Sequence, residues 1–161
     1  MVLIIYKVLL LIHGITALIG IGQTFLIPLV LFLPKSGKQI RFALNLLKKI
    51  GIIASVSDYI LFLTGLWMLF YLDYQWNKAW LNLAIILFFL MRINITVFCK
   101  KCVQKVYAVK ILDDEFPSDY HIKVKELMYP LSFTQGLVLV ILCLMILKPN
   151  FPLSYLLLAN R

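Results

Sequence analysis

The chain is poor in the side chains that most often carry chemistry. Seven Asp and Glu stand against sixteen Lys and Arg, with two His and three Cys. It has no clusters of Met and His of the kind a soft-metal or imidazole site needs, which argues against copper handling. There is no repeat, low-complexity tract, nucleotide-binding glycine loop or hydrolase motif. Apolar residues, by contrast, are abundant. They make up 63% of the 161 residues, against roughly 45–50% in a soluble domain. The formal charge of +9 predicts no nucleic-acid partner, because the cations fall between long apolar runs and not on a soluble surface.

Four runs reach the roughly 20 residues that cross a bilayer's hydrocarbon core. They extend from about residue 8 to 33, 50 to 72, 79 to 98 and 128 to 147. None alternates as a barrel strand does, and open strands cannot cross lipid with unpaired backbone, so the runs predict helices. The expected fold is all-α: a single membrane domain over residues 1–161, an integral membrane four-helix bundle running up-down-up-down. The run at the N-terminus outlasts a signal-peptide core, is interrupted by Lys7 and lacks a small-residue cleavage site, so the first helix is expected to be retained.

Cations set the expected orientation. Lys35, Lys38, Arg41, Lys48 and Lys49 lie between the first two spans, and Lys100, Lys101, Lys105, Lys110, Lys123 and Lys125 between the last two. The positive-inside rule puts these loops, about 34–49 and 99–127, in the cytoplasm and both termini outside. That is the arrangement of a multi-pass protein of the inner (plasma) membrane, its basic loops facing anionic lipid. Tyr71, Tyr74, Trp76 and Trp80 around the short second connection read as an interfacial belt. The stretch Arg41 to Lys49 has helical amphipathic spacing and is expected to lie along the membrane surface. Ser118 is expected to cap the last helix and Pro130 to kink it, while the Asp113-Asp114-Glu115 triplet reads as a solvated turn. Cys99 and Cys102 form a lone C-x-x-C at the reduced, cytoplasmic end of the third helix, where a disulfide is not expected. Neighbouring lysines leave a redox or metal role open, but without a second ligand pair or a thioredoxin-like context the two cysteines read first as small helix-end residues.

The polar residues inside the spans carry the functional expectations. Asp58 and Arg92 are the formally charged residues deep in spans two and three, and a charge near the bilayer centre costs at least ~2.5–3.5 kcal/mol unless paired or wetted. Across an antiparallel hairpin, residues whose numbers sum to about 150 lie level, as these two do, so an intramembrane ion pair is expected. The same level takes in Gln23, Thr24, Ser132 and Gln135. This polar layer reads either as helix-locking glue or as a functional site. Nearer the other face, His13 shares a stripe with Ala17, Gly20 and Thr24 and lies level with Thr64 to Trp67. Its imidazole reads as a haem ligand, a proton relay or a histidine bonded across a helix interface. His13 and Trp67 are the candidate cofactor-binding residues. No set of metal ligands is expected, and no catalytic residue is identified.

Several short segments resemble an uncharacterised family of small bacterial four-helix membrane proteins, distantly similar to the copper-resistance D-type membrane proteins and the J-type protoporphyrinogen oxidase. They are Leu11-Ile12-His13-Gly14, Thr64-Gly65-Leu66-Trp67, Trp76 to Leu81, Arg92 and Leu147-Lys148-Pro149. The resemblance implies a haem-associated histidine in the first helix, here His13. Where the oxidase has a lysine at the start of the third helix, this chain carries Trp80, with Lys78 two residues earlier. Three function classes follow: a haem-linked redox protein, a small-solute transport element working as a homo-oligomer, and an accessory or scaffold subunit for a membrane partner protein.

Overall fold

A computed structural model describes residues 2–71, 78–109, 111 and 116–149. Helix α1 spans Val2–Phe32, α2 Gly37–Tyr71, α3 Ala79–Asn94, α4 Lys100–Tyr107 and α5 Tyr120–Leu147. A π-helical turn, Ile95–Cys99, joins α3 to α4 without a break. The described residues thus hold four long helical rods, each long and apolar enough to cross a membrane. The fold is the all-α four-helix membrane bundle that the apolar runs predict. Tyr74, Trp76, Lys110 and the Asp113-Asp114-Glu115 triplet, together with the Tyr71 side chain, lie outside the described residues.

Local chemistry explains the helix ends. After Pro34, Ser36 Oγ accepts the Gln39 backbone N–H at 3.4 Å, and Gln39 Oε1 accepts the Lys35 N–H at 2.7 Å. This reciprocal pairing resembles a capping box and starts α2. At the other end of the chain, Lys148 adopts φ 41° and its N–H bonds the Leu144 carbonyl at 3.0 Å. Pro149 follows, where it cannot prolong the helix. Ser118 does not cap α5: its hydroxyl turns to Asp119 Oδ1 at 3.4 Å, and the N-cap position belongs to Asp119, whose side chain makes no capping bond.

The rods are longer than the spans alone require. At 35 residues, α2 measures about 52 Å, against a hydrocarbon core of about 30 Å. Arg41 to Lys49 is therefore not a separate segment along a membrane surface. It is the first part of α2, with Ile40, Leu44 and Leu47 buried against the other rods. The same end of the bundle gathers Leu31, Val106, Val109, Tyr120, Val124 and Leu127 into a closed core. Tyr120 Oη donates to the Leu31 carbonyl at 2.9 Å, Tyr107 Oη to the Leu44 carbonyl at 3.1 Å, and Lys105 pairs with Glu126 at 2.7 Å. This is the basic end of the bundle, where the Lys and Arg clusters lie.

Away from the basic end, α1 packs between α2 and α5, and α5 between α1 and α3. A smaller core of Met91, Leu137 and Val138 holds the middle, with Ile21, Leu87 and Phe88 against it. Large apolar side chains such as Leu18, Phe70, Ile86 and Ile146 point outward, which suits a surface solvated by lipid.

Candidate functional site

Helices α2 and α3 meet through long side chains more than through close backbone approach. On α2 the residues Gly51, Ser55, Asp58 and Phe62 fall on one stripe at helical spacing; Phe88, Phe89 and Arg92 of α3 do the same, with Thr96 in the π-turn that continues it. Where the stripes face each other, Arg92 Nη1 donates to Asp58 Oδ2. One turn towards the end opposite the basic one, Phe62 stacks on Phe88 with centroids 6.1 Å apart and meets Phe89 edge-on at 6.3 Å. Towards the basic end the stripes carry Ser55, Gly51 and Thr96, all exposed. The ion pair thus has an aromatic cluster on one side and small exposed residues on the basic side, where the Ser55 and Thr96 hydroxyls donate to the Gly51 and Arg92 carbonyls at 2.9 and 2.8 Å.

The ion pair is not sealed. The Arg92 side chain keeps 31% of its surface accessible and Asp58 18%. Among the described residues, Asp58 Oδ1 and the remaining guanidinium N–H groups make no hydrogen bond. A Cβ at Gly20 of α1 would lie 4.0 Å from Asp58 Oδ1. The carboxylate thus rests beside the backbone of α1 while the guanidinium reaches it from α3.

Beside the pair lies a second set of polar contacts. Gln23 is buried, and its Nε2 donates to the Ile19 carbonyl at 3.1 Å while Oε1 has no partner. Gln135 Nε2 crosses from α5 to the Thr24 carbonyl at 2.8 Å, and the Thr24 hydroxyl bonds the Ile21 carbonyl at 2.8 Å. Asn94 Nδ2 donates to the Pro130 carbonyl at 2.8 Å and to Thr134 Oγ1 at 2.9 Å. Among the polar-layer candidates, then, Asp58 and Arg92 meet directly, Thr24 and Gln135 meet each other, and Gln23 lies one turn from Gly20. Ser132 is exposed on α5 and takes no part; the polar α5 side chains turned inward at this level are Thr134 and Gln135.

Nearer the end opposite the basic one, the His13 Nδ1 and Thr64 Oγ1 atoms lie 2.9 Å apart. The Thr64 hydroxyl is also 2.7 Å from the Ile60 carbonyl and 3.1 Å from that of Leu61. With its own hydrogen directed to a carbonyl, Thr64 accepts from Nδ1–H, which leaves Nε2 with its lone pair. Gly65 lets the ring lie close: a Cβ there would be 3.3 Å from His13 Cε1. Trp67 is exposed and lines a separate groove of about 490 Å³ with Leu9, Leu63, Thr64, Leu66 and Phe70. His13 does not line that groove, so it and Trp67 face different spaces, with Thr64 between them.

Asn94, Thr134 and the Phe62, Phe88 and Phe89 cluster are absent from the sequence-derived site. Asn94 was the legible one, as an amide within an apolar run two residues after Arg92. The π-turn carries no such signal. There the Lys100 N–H bonds the Ile95 carbonyl, five residues back, and Cys99 is turned inward with its Sγ 3.9 Å from Thr134 Oγ1. The Cys99 and Cys102 thiols are both free.

Residues 7–149 match the family described as predicted integral membrane protein (DUF2269), and the chain belongs to it. No curated protein and no solved structure matches.

Proposed function

We propose, for a chain already placed in a family of integral membrane proteins, that it is a transport element for a small polar solute, with the Asp58–Arg92 level as its binding point. One observation carries this reading: a charged pair within the spans keeps 31% and 18% of its side-chain surface open. Lipid does not satisfy such groups, and leaving charge against it costs several kcal/mol, so a polar occupant belongs beside the pair, in a crevice between α2 and α3. The exposed Ser55 and Thr96 extend polar walls from the pair towards the basic end. Four helices enclose little on their own, so the working unit is a homo-oligomer or a complex with a membrane partner. The positive-inside rule supports that end facing the cytoplasm from an inner membrane, with the basic loops against anionic lipid.

Cysteine accessibility tests the crevice. In a background with Cys99, Cys102 and Cys143 replaced, Ser55→Cys and Thr96→Cys should react with a membrane-impermeant methanethiosulfonate supplied from the basic side. Leu18→Cys, on the apolar outward face of α1, should not. Equal silence at all three positions would remove the crevice and this function with it.

A second reading is a haem-linked redox protein, as the likeness to the J-type oxidase implies. The observation favouring it is the His13–Thr64 contact, which resembles the outer-shell bond that orients ligating histidines and leaves Nε2 for a metal. When bound, haem would supply one-electron chemistry, and His13 would hold and orient it. Visible spectra of the purified protein, oxidised and dithionite-reduced, decide this reading. A stoichiometric Soret band lost in His13→Ala supports it, and a featureless spectrum from folded protein eliminates it.

A further inference from the structure

We infer that the solute taken by the Asp58–Arg92 crevice is a small monocarboxylic acid, bound as its two ionic halves, with the carboxylate on Arg92 and the proton on Asp58. This rests on the transport reading above and adds the chemical class, the stoichiometry and the side of entry.

The argument begins with what the pair leaves unused. Arg92 spends one N–H on Asp58 and retains the rest of a planar fork, while Asp58 retains one oxygen. The open valences are thus mostly donors, and a guanidinium fork matches a carboxylate bidentately. A bare anion would nevertheless leave the layer with a net negative charge inside the spans, at a cost of the same order as the charges the pair already neutralises. A weak acid avoids this. Its O–H bond breaks, the proton goes to Asp58, and the resulting carboxylate takes the place of Asp58 on Arg92. One cation and one anion remain in the layer before and after, and no electrons move. Asp58, made neutral, loses its need for a cationic partner at the moment Arg92 gains another.

The surroundings fit this exchange. Gly20 gives the Asp58 carboxyl room beside α1, since a Cβ there would lie 4.0 Å from Oδ1. Gln23 Oε1, buried one turn away on α1 and without a donor, is an acceptor near the place where a protonated carboxyl appears. The other ionisable groups on elements packed around Asp58 are few. Tyr59, its neighbour on α2, points outward at 65% exposure, and His13 on α1 is held at Thr64, six residues further along α2. At the basic mouth, Lys48, Lys49, Lys100 and Lys101 are exposed and offer an attracting field to an anion. In the other direction, Phe62, Phe88 and Phe89 close the path one turn past the pair. Entry is therefore from the basic end, and the aromatic cluster is the barrier between the binding point and the opposite face.

The test is equilibrium binding of radiolabelled lactate to the detergent-purified protein across a pH series above the acidity range of lactate itself. Uptake of one proton with each lactate makes the wild-type affinity fall about tenfold per pH unit. Asp58→Asn removes the proton acceptor and frees Arg92, so it should bind lactate at least as tightly and without pH dependence. Arg92→Ala should lose binding, and Arg92→Lys, lacking the fork, should weaken it while keeping the pH slope. A merely structural pair would not yield a variant that binds as well as wild type and has lost only its pH slope. If wild type binds lactate with no pH dependence, or if Asp58→Asn keeps the wild-type slope, the proton half is wrong. If Ser55→Cys and Thr96→Cys are labelled from the basic side but wild type binds no lactate at any pH, the acid assignment falls while the crevice stands. If those cysteines are silent, the transport reading has failed first.

Discussion

The basic end and the middle of the bundle are held together by different means. At the basic end, ten buried residues from α1, α2, α4, α5 and the turns beside them form one closed, mostly aliphatic core. In the middle the buried apolar cluster shrinks to Met91, Leu137 and Val138. There the helices are joined by Arg92 to Asp58, Gln135 to the Thr24 carbonyl and Asn94 to Thr134. The competing solvent accounts for the contrast. Rods longer than the hydrocarbon core project into water, where burying Leu and Val is favourable. Within lipid, a leucine gains little from exchanging acyl chains for another leucine, so polar bonds and close packing select the partners.

The largest effect that could break this contrast is loss of the ion pair. Arg92→Ala is expected to cost about 3–5 kcal/mol, by analogy with buried pairs in soluble proteins, because Asp58 is left charged and unpaired. The double change with Asp58→Ala should recover part of that loss. Denaturant titration of the folded protein in mixed micelles reads both; if the single and double variants unfold alike, the pair does not join α2 to α3. Next comes the aliphatic core. Leu127→Ala should cost about 2–5 kcal/mol, and Leu137→Ala less, since lipid-solvated helices lose packing but little hydrophobic transfer. Equal losses at the two positions would erase the distinction between the regions. A step smaller is Tyr120→Phe, which strips the Leu31 carbonyl, buried at the end of α1, of its donor and should cost about 1–3 kcal/mol.

The parts of this arrangement that were legible in the sequence share a cause. Apolar runs of span length announce membrane helices because the bilayer's thickness is fixed. The level of Asp58 with Arg92 followed from helical rise across one short connection. Two features were not legible. Ser132 and Thr134 are two residues apart, so a depth argument cannot choose between them; packing turns Thr134 to Asn94 and leaves Ser132 outside. The π-turn at Ile95–Cys99 depends on one displaced backbone bond and has no compositional mark. Arg41 to Lys49 misled for another reason. Its amphipathic spacing fits a membrane surface or a helix packed on its neighbours, and only the burial of Ile40, Leu44 and Leu47 separates the two.

The smallest expected effect is at the other end of the bundle, where His13 meets Thr64. Interhelical hydrogen bonds in membranes average about 0.6 kcal/mol and reach about 1.7. A double-mutant cycle of His13→Ala and Thr64→Val should therefore return a coupling in that range, below every value expected at the ion pair. A coupling of several kcal/mol would mean that this end too is held by a dominant polar contact, and would weaken the claim that the Asp58–Arg92 level is the special one. A small coupling has its own consequence. The bond between α1 and α2 is then cheap to keep and cheap to lose, so if His13 matters for activity it does so through the free Nε2 and not through fastening the helices. Gly65→Ala sharpens that separation. Its methyl would come within 3.3 Å of His13 Cε1 and tilt the ring, and a change in any His13-dependent spectrum without a change in unfolding would assign the residue to chemistry and not to packing.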